Sequence, residues 1–154
     1  MNDGLIVLKR IIVENANAIS GVTWGFPAIT NFLGFVHTIS RKLKNQYDIS
    51  LSGCAVISHE QHVHVHRPKK YGDFYFAMTR NPLTKKGETS PFNPEGRMHM
   101  TVSLVIPFFG RLPKNKNNLQ EFTKHLKKIV CESRLAGGTI ISFQDNVLAD
   151  YYPE

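Results

Sequence analysis

Between Arg97 and Phe109 every second residue is apolar, at Met98, Met100, Val102, Leu104 and Ile106. Side chains alternate across a strand, so this run predicts a long β-strand with one face committed to a core. Leu5 to Glu14, apolar and β-branched, predicts a second strand. Leu51 to His66 predicts a third, whose second half sets Glu60, His62, His64 and His66 on one side and Gln61, Val63 and Val65 on the other. The spacing changes to three and four at Ile29, Phe32, Leu33, Val36, Ile39 and Leu43. That is an amphipathic helix to about Gln46, with Pro27 suited to its first turn and Asn45 and Asp48 helping to end it. Leu119, Phe122, Leu126, Ile129 and Val130 predict a second helix over about Asn118 to Ser133, and Thr139 to Phe143 a closing strand. The tail from Gln144 is not assigned.

Arg67 to Asp73 reads as a turn and Phe74 to Thr79 as a return strand, which makes an inserted hairpin over about 60–80. The loop 81–96 follows, with Pro82, Pro91, Pro94 and Gly87. The resulting order is βαβ, hairpin, βαβ. It predicts an α+β, ferredoxin-like βαββαβ domain: an antiparallel sheet with two helices on one face. RNA-recognition domains hold nucleotides on or beside the face such helices leave free, and the expectation is that this open face is cationic. The chain shows no internal repeat, and a single domain over 1–154 is expected.

Lys and Arg total 19 against 12 acids, a formal net charge of +7. Phosphate neutralisation gives such a chain sequence-independent affinity for nucleic acid, although the same charge also serves solubility. The cations gather in expected loops and strand ends: Arg67, Lys69 and Lys70; Arg80, Lys85 and Lys86; Arg111, Lys114 and Lys116. Tyr71, Phe74, Tyr75 and Phe76 interleave with the first group, and rings beside cations are what single-stranded RNA binding uses. No run approaches the ~18 apolar residues a spanning helix needs, so no membrane association is expected. The start, Met1-Asn2-Asp3-Gly4, carries no basic segment or cleavage site of a signal peptide. Cys54 and Cys131 are isolated in apolar settings and read as reduced core thiols, so a cytoplasmic protein is expected.

Several residues are candidates for chemistry. Asn15, Asn17 and Ser20 follow the first strand, where short polar side chains can bond base edges or phosphates, or their own loop backbone. Trp24 can stack a base or pack at the helix entrance, and Phe26 is assigned to the core. Arg67, Lys69, Lys70 and Arg80 on the hairpin and its base can press into RNA, or form a solvated edge. In Arg134-Leu135-Ala136-Gly137-Gly138 the glycines can admit a phosphate to the backbone, or cap the preceding helix. His62, His64 and His66 could hold a metal in pairs, but no third ligand accompanies them, and no metal or cofactor is expected. His37 has no visible catalytic partner, and no Ser-His-Asp pattern, Walker loop or paired acidic site occurs, so an enzyme is not expected.

Four segments in register carry a resemblance. They are Glu14-Asn15-Ala16-Asn17-Ala18-Ile19-Ser20 with Thr23-Trp24-Gly25-Phe26-Pro27; Gly34-Phe35-Val36-His37; Thr79-Arg80-Asn81-Pro82-Leu83; and Arg134-Leu135-Ala136-Gly137-Gly138. Over about residues 5–143 the chain resembles the Cas-five-type subunit of the type I-F CRISPR surveillance (Csy) complex, a RAMP-superfamily protein. The resemblance implies a non-catalytic protein that grips the 5′ handle of the CRISPR RNA. It also implies contact with the large subunit at the tail of the complex and with the adjacent backbone Cas subunit. Asn15, Asn17, Ser20, Trp24, Arg67, Lys69, Lys70, Arg80, Asn81, Arg134, Gly137 and Gly138 are the RNA-binding candidates. Family members continue through a second half of similar size, so the chain corresponds to the N-terminal half. The alternative is a truncated mimic, borne by a phage or mobile element, that binds Cas partners and acts as an anti-CRISPR.

Overall fold

The computed structural model describes residues 3–79, 81–91, 93–113, 115–144 and 146–150. In chain order the elements are β1 (Gly4–Asn17), β2 (Ile19–Ser20), β3 (Thr23–Trp24), α1 (Ile29–Tyr47), β4 (Ser50–Leu51), β5 (Ala55–Val63), β6 (Val65–His66) and β7 (Tyr75–Phe76). They continue as β8 (Met78–Thr79), β9 (Asn93–Pro94), β10 (Arg97–Phe109), α2 (Lys116–Cys131), β11 (Arg134–Leu135), β12 (Gly138–Ser142) and β13 (Asn146–Asp150). The fold is mixed α+β, with two helices against a curled antiparallel sheet.

The alternating run at 97–109 is β10, and it is the middle of the sheet. β1 pairs along one side of it from Gly4↔Phe108 to Asn17↔Arg97, and β5 along the other from Ala55↔Val105 to Val63↔Met98. β12 lies beyond β1, so the order across the sheet is β12–β1–β10–β5, every neighbouring pair antiparallel. β13 shares the outer edge of β1 with β12, pairing Gly4–Leu8. The unassigned tail therefore contributes a strand. The expected third strand is interrupted into β4, β5 and β6, and the return strand of the hairpin into β7, which pairs with β6, and β8, which pairs with β9.

Two β-bulges give the sheet its curl. The β1–β10 register shifts between Leu8 and Ile11 and between Val13 and Ala16. At each break one residue adopts left-handed backbone, Arg10 (φ 49°) and Asn15 (φ 55°). Their N–H groups leave the ladder and are caught by β10 side chains. Arg10 N donates to Ser103 Oγ at 2.9 Å, and Asn15 N to His99 Nδ1 at 3.3 Å. The bulges keep Ile6, Leu8, Ile11, Val13 and Ala16 all on the buried side despite their uneven spacing.

That side meets one hydrophobic core, built with Met98, Met100, Val102, Leu104, Ile106 and Phe108 of β10 and the inner faces of both helices. Phe32, Phe35, Val36, Ile39 and Leu43 come from α1, and Phe122, Leu126, Ile129 and Val130 from α2. Pro27 precedes the helix instead of occupying its first turn: α1 starts at Ile29, with Ala28 at the N-cap and no side-chain cap. Phe26, as expected, packs on the core, stacked on Phe32 at 5.7 Å between ring centroids. Asp48 ends α1 in left-handed backbone. α2 begins earlier than expected because Asn115 caps it, its side chain accepting from Asn117 N. One cysteine expectation is corrected. Cys54 is half-buried against the core, and burial raises its thiol pKa, but Cys131 is exposed on the last turn of α2. Among the described residues no helix is long and apolar enough to cross a membrane.

Candidate nucleic-acid interface

Three segments far apart in sequence converge where β1 ends. The chain leaving β1 turns back at once: Asn17 forms a local Asx-type turn, its Oδ1 accepting from Ile19 N and its Nδ2 donating to Ile19 O. β2 and β3 then form a miniature hairpin, Ile19↔Trp24 and Ser20↔Thr23. This sets Trp24, 52% exposed, edge-on to Phe76 at 5.6 Å and tilted to Phe74 at 6.5 Å. Both rings belong to the inserted hairpin. Arg67 Cζ lies 4.9 Å over the Phe74 ring while its Nε donates to Gly72 O, which holds the basic turn closed. Lys69 is exposed beside it, and Lys70 Nζ sits 5.6 Å from the ring of Tyr71, itself almost fully exposed. The sequence thus yields a cationic and aromatic arm, with Trp24 on one hairpin and Arg67, Lys69 and Lys70 on the other.

The third segment is the turn between β11 and β12. Leu135↔Gly138 pairing leaves Ala136 and Gly137 as its two central residues, both at positive φ (51° and 74°). That is the two-residue hairpin whose twist matches its strands. It is not a cap on the preceding helix, since α2 ends at Cys131 with Glu132 as its cap. Ala136 O accepts from Asn17 N at 2.8 Å, which ties the turn to the end of β1. Gly137 and Arg134 are exposed. Gly138 is buried, and a Cβ there would lie 2.6 Å from Glu14 O and 2.8 Å from Ala16 N, so its glycine lets the start of β12 approach the β1 bulge closely. Asn81 stands apart, in the loop after β8, with its Nδ2 donating to Pro91 O at 3.3 Å. Arg80 and Lys114 lie outside the described residues.

Arg97, an ordinary strand residue by its place in the alternating run, links these parts. Its Nη1 donates to Asn15 O at 3.3 Å, its carbonyl accepts from His64 N, and Glu95 pairs with its Nη2 at 2.9 Å. The three histidines that meet are likewise not the expected set. His64 is T-shaped to His99 at 4.2 Å and 5.9 Å from His62, while His66 is carried off on β6. Burial, then the neighbouring His99 and His62, lower the His64 pKa. Among the described residues no three metal-ligating side chains are grouped to hold an ion.

The open sheet face departs from expectation. Its groove, about 620 Å³, is lined by Ile12, Glu14, Glu60, His62, His99 and Thr101 among others, with no Lys or Arg. Glu14 and Glu60 flank β10 on its two neighbouring strands, and Glu60 is paired at 3.2 Å with Arg10. The cationic expectation fails for the face and holds for the arm at its end. The helices carry most of the charge imbalance: α1 has three cations and no acid, and α2 four cations and one acid, so together they hold six of the seven net positive charges.

A family model described as CRISPR-associated protein (Cas_Csy2) matches residues 6–152. The CRISPR-associated protein Csy2 of Pseudomonas aeruginosa (strain UCBPP-PA14) is 36% identical over 140 residues, which are 90% of this chain and 42% of that protein. The chain thus spans less than half the length of this curated relative.

Proposed function

This chain belongs to the Csy2 family of CRISPR-associated proteins, and from that membership we propose that it binds the 5′ handle of CRISPR RNA as a non-catalytic subunit of a type I-F complex. The observation that carries the reading is the convergence of Trp24, the Arg67–Lys70 turn and the Arg134–Gly137 turn at one end of the sheet. Single-stranded RNA is held by such a mixture, cations on the backbone and rings beneath splayed bases. The strand order β12–β1–β10–β5 supports reading the fold as ferredoxin-like, of the RAMP kind. The acidic groove supports a path for the RNA beside the sheet, at the arm, over one across it. The reading assigns Asn15, exposed and held at a bulge by Arg97 and His99, and Ser20 to the path of that strand. The large and backbone Cas subunits remain the partners the reading assigns. No cleavage role is assigned, because His37 is exposed on α1 and the arm is built from other elements.

Binding of handle RNA, measured by fluorescence anisotropy against salt, tests this. Lys69→Gln with Lys70→Gln is expected to weaken binding about tenfold near 0.1 M salt and to shallow the log–log salt slope by roughly 1.4, at ~0.7 per lost phosphate contact. Trp24→Ala is expected to cost about 1–3 kcal/mol. Salt-insensitive binding, or binding indifferent to all three changes, would overturn the proposal, and a metal-independent cut of repeat RNA lost in His37→Ala would overturn its non-catalytic part.

A further inference from the structure

We infer that the outer surface of the two-helix layer is a second, separate polyanion site, and that its occupant is a nucleic-acid duplex held by its phosphates. The inference goes beyond handle binding and does not rest on it. α1 carries Arg41, Lys42 and Lys44 with no acidic residue anywhere along it, and all three are exposed. Among the described residues none of the three forms an ion pair. They border an open cleft of about 400 Å³ with Thr38 and Asn45, both polar and exposed. α2 packs beside α1 through Tyr47, which meets Phe122 edge-on at 5.0 Å and His125 at 5.7 Å. It adds exposed Lys116, Lys124, Lys127 and Lys128; among the described residues Lys128 alone of these forms an ion pair, at 3.9 Å to exposed Glu132, and Lys127 Nζ lies 5.6 Å from the Phe143 ring.

The residue types choose the occupant. Single-stranded nucleic acid needs rings to stack on. Here every phenylalanine of the two helices is buried and Tyr47 is occupied in the seam, so the exposed imidazole of His37 is the one helix ring facing outward among the described residues, and no Phe, Tyr or Trp platform is offered. Protein interfaces favour aromatic residues and arginine and are depleted in lysine, whereas six of the seven cations on this layer are lysine. A duplex keeps its bases stacked inside and offers phosphates along a rigid rod, which a rigid lysine-rich surface matches without rings. The arm is built from other elements than the two helices, and it is aromatic and carries the base-stacking chemistry.

The experiment compares the full chain with Arg41→Gln/Lys42→Gln/Lys44→Gln and, separately, with Lys69→Gln/Lys70→Gln. The probes are a blunt 20-base-pair duplex of arbitrary sequence and a single-stranded handle RNA, each titrated over a salt series. The helix-face variant is expected to lose duplex affinity at least tenfold near 0.1 M salt, with a slope shallower by roughly 2.7, at ~0.9 per phosphate contact. Its handle binding should stay within twofold, and the arm variant should show the converse. All substituted side chains are exposed, and matching circular dichroism of the variants excludes unfolding. Absence of duplex binding by the parent chain, equal loss of both ligands in the helix-face variant, or preference for a polyglutamate chain over the duplex at equal charge would each overturn the inference. Loss of handle binding alone would leave it standing and count only against the handle reading.

Discussion

At the scale of single residues, two positions show how little freedom the site's scaffold has. Gly138 lies where β12 comes closest to β1, and two of its three prospective Cβ contacts, Glu14 O and Ala16 N, are backbone atoms that cannot swing aside. Gly138→Ala is therefore expected to destabilise by about 2–3 kcal/mol, an overpacking cost. For a domain of this size that is a fall in Tm of roughly 4–10 °C, and an unchanged Tm in a thermal scan would show that the approach is loose. His64 makes a prediction about pH. Burial and two neighbouring imidazoles lower its folded-state pKa. As pH falls through about 6.5, the ordinary imidazole value, the unfolded chain takes up a proton that the folded chain resists, so this group costs stability at low pH and is neutral in effect above it. The Tm of the parent chain should decline from pH 7 to pH 5, and His64→Gln should flatten that decline; a steeper decline in the variant would reject the assignment. Neither constraint is visible in the sequence. Gly137-Gly138 announces a turn, but only the close approach to β1 shows that the second glycine is a packing residue.

At the scale of elements, propensity and pattern go further. The strand Arg97–Phe109 and the helix beginning at Ile29 follow directly from periods of two and three to four. The bulges of β1 show in which of its residues are buried, and not in its apolar run, which also includes Leu5, Val7 and Ile12. The buried positions Ile6, Leu8, Ile11, Val13 and Ala16 advance by three residues twice instead of two, and each long step coincides with a bulge. The breaks at β4, β5 and β6 and the strand β13 are harder, because they are decided by which edge of β10 or β1 remains to be paired. Helix ends carry the clearest energetic contrast. Asn115 caps α2 with its side chain, whereas Ala28 at the start of α1 offers none, and no acid follows in the first turn. Asn115→Ala should cost about 1 kcal/mol, and Ala28→Asp should gain about 0.5–1 kcal/mol by supplying both a cap and a favourable charge. Opposite Tm shifts in the two variants check both; a fall in Ala28→Asp would mean that the backbone entering α1 cannot present a side chain to its N–H groups.

At the scale of the whole molecule, the arrangement of charge separates what the sequence total merges. A net charge of +7 is compatible with a cationic sheet face, arm or helical layer. Folding resolves it into an acidic groove on the open face, a ringed basic arm at its end, and a lysine-rich layer across the back. The arm's members were legible because basic and aromatic residues alternate locally around Arg67–Phe76. The groove was not, since Glu14 and Glu60 come together only through their separate pairings beside β10. The same distribution has a consequence for stability. Seven cations facing one acid on two adjacent helices repel one another, and the repulsion is relieved when the chain unfolds. Raising ionic strength from about 0.01 M to about 0.1 M shortens the Debye length from ~30 Å to ~10 Å, which screens charges across the layer. The Tm should therefore rise with sodium chloride over that range. Arg41→Gln/Lys42→Gln/Lys44→Gln should start from a higher Tm at low salt and gain less from added salt. Exposed ion pairs such as Arg10–Glu60 push the other way, since screening weakens attraction too, but each is worth only about 0–1 kcal/mol. A Tm that falls with salt in the parent chain, or responds equally in the variant, would mean that the layer's cations are compensated within the fold.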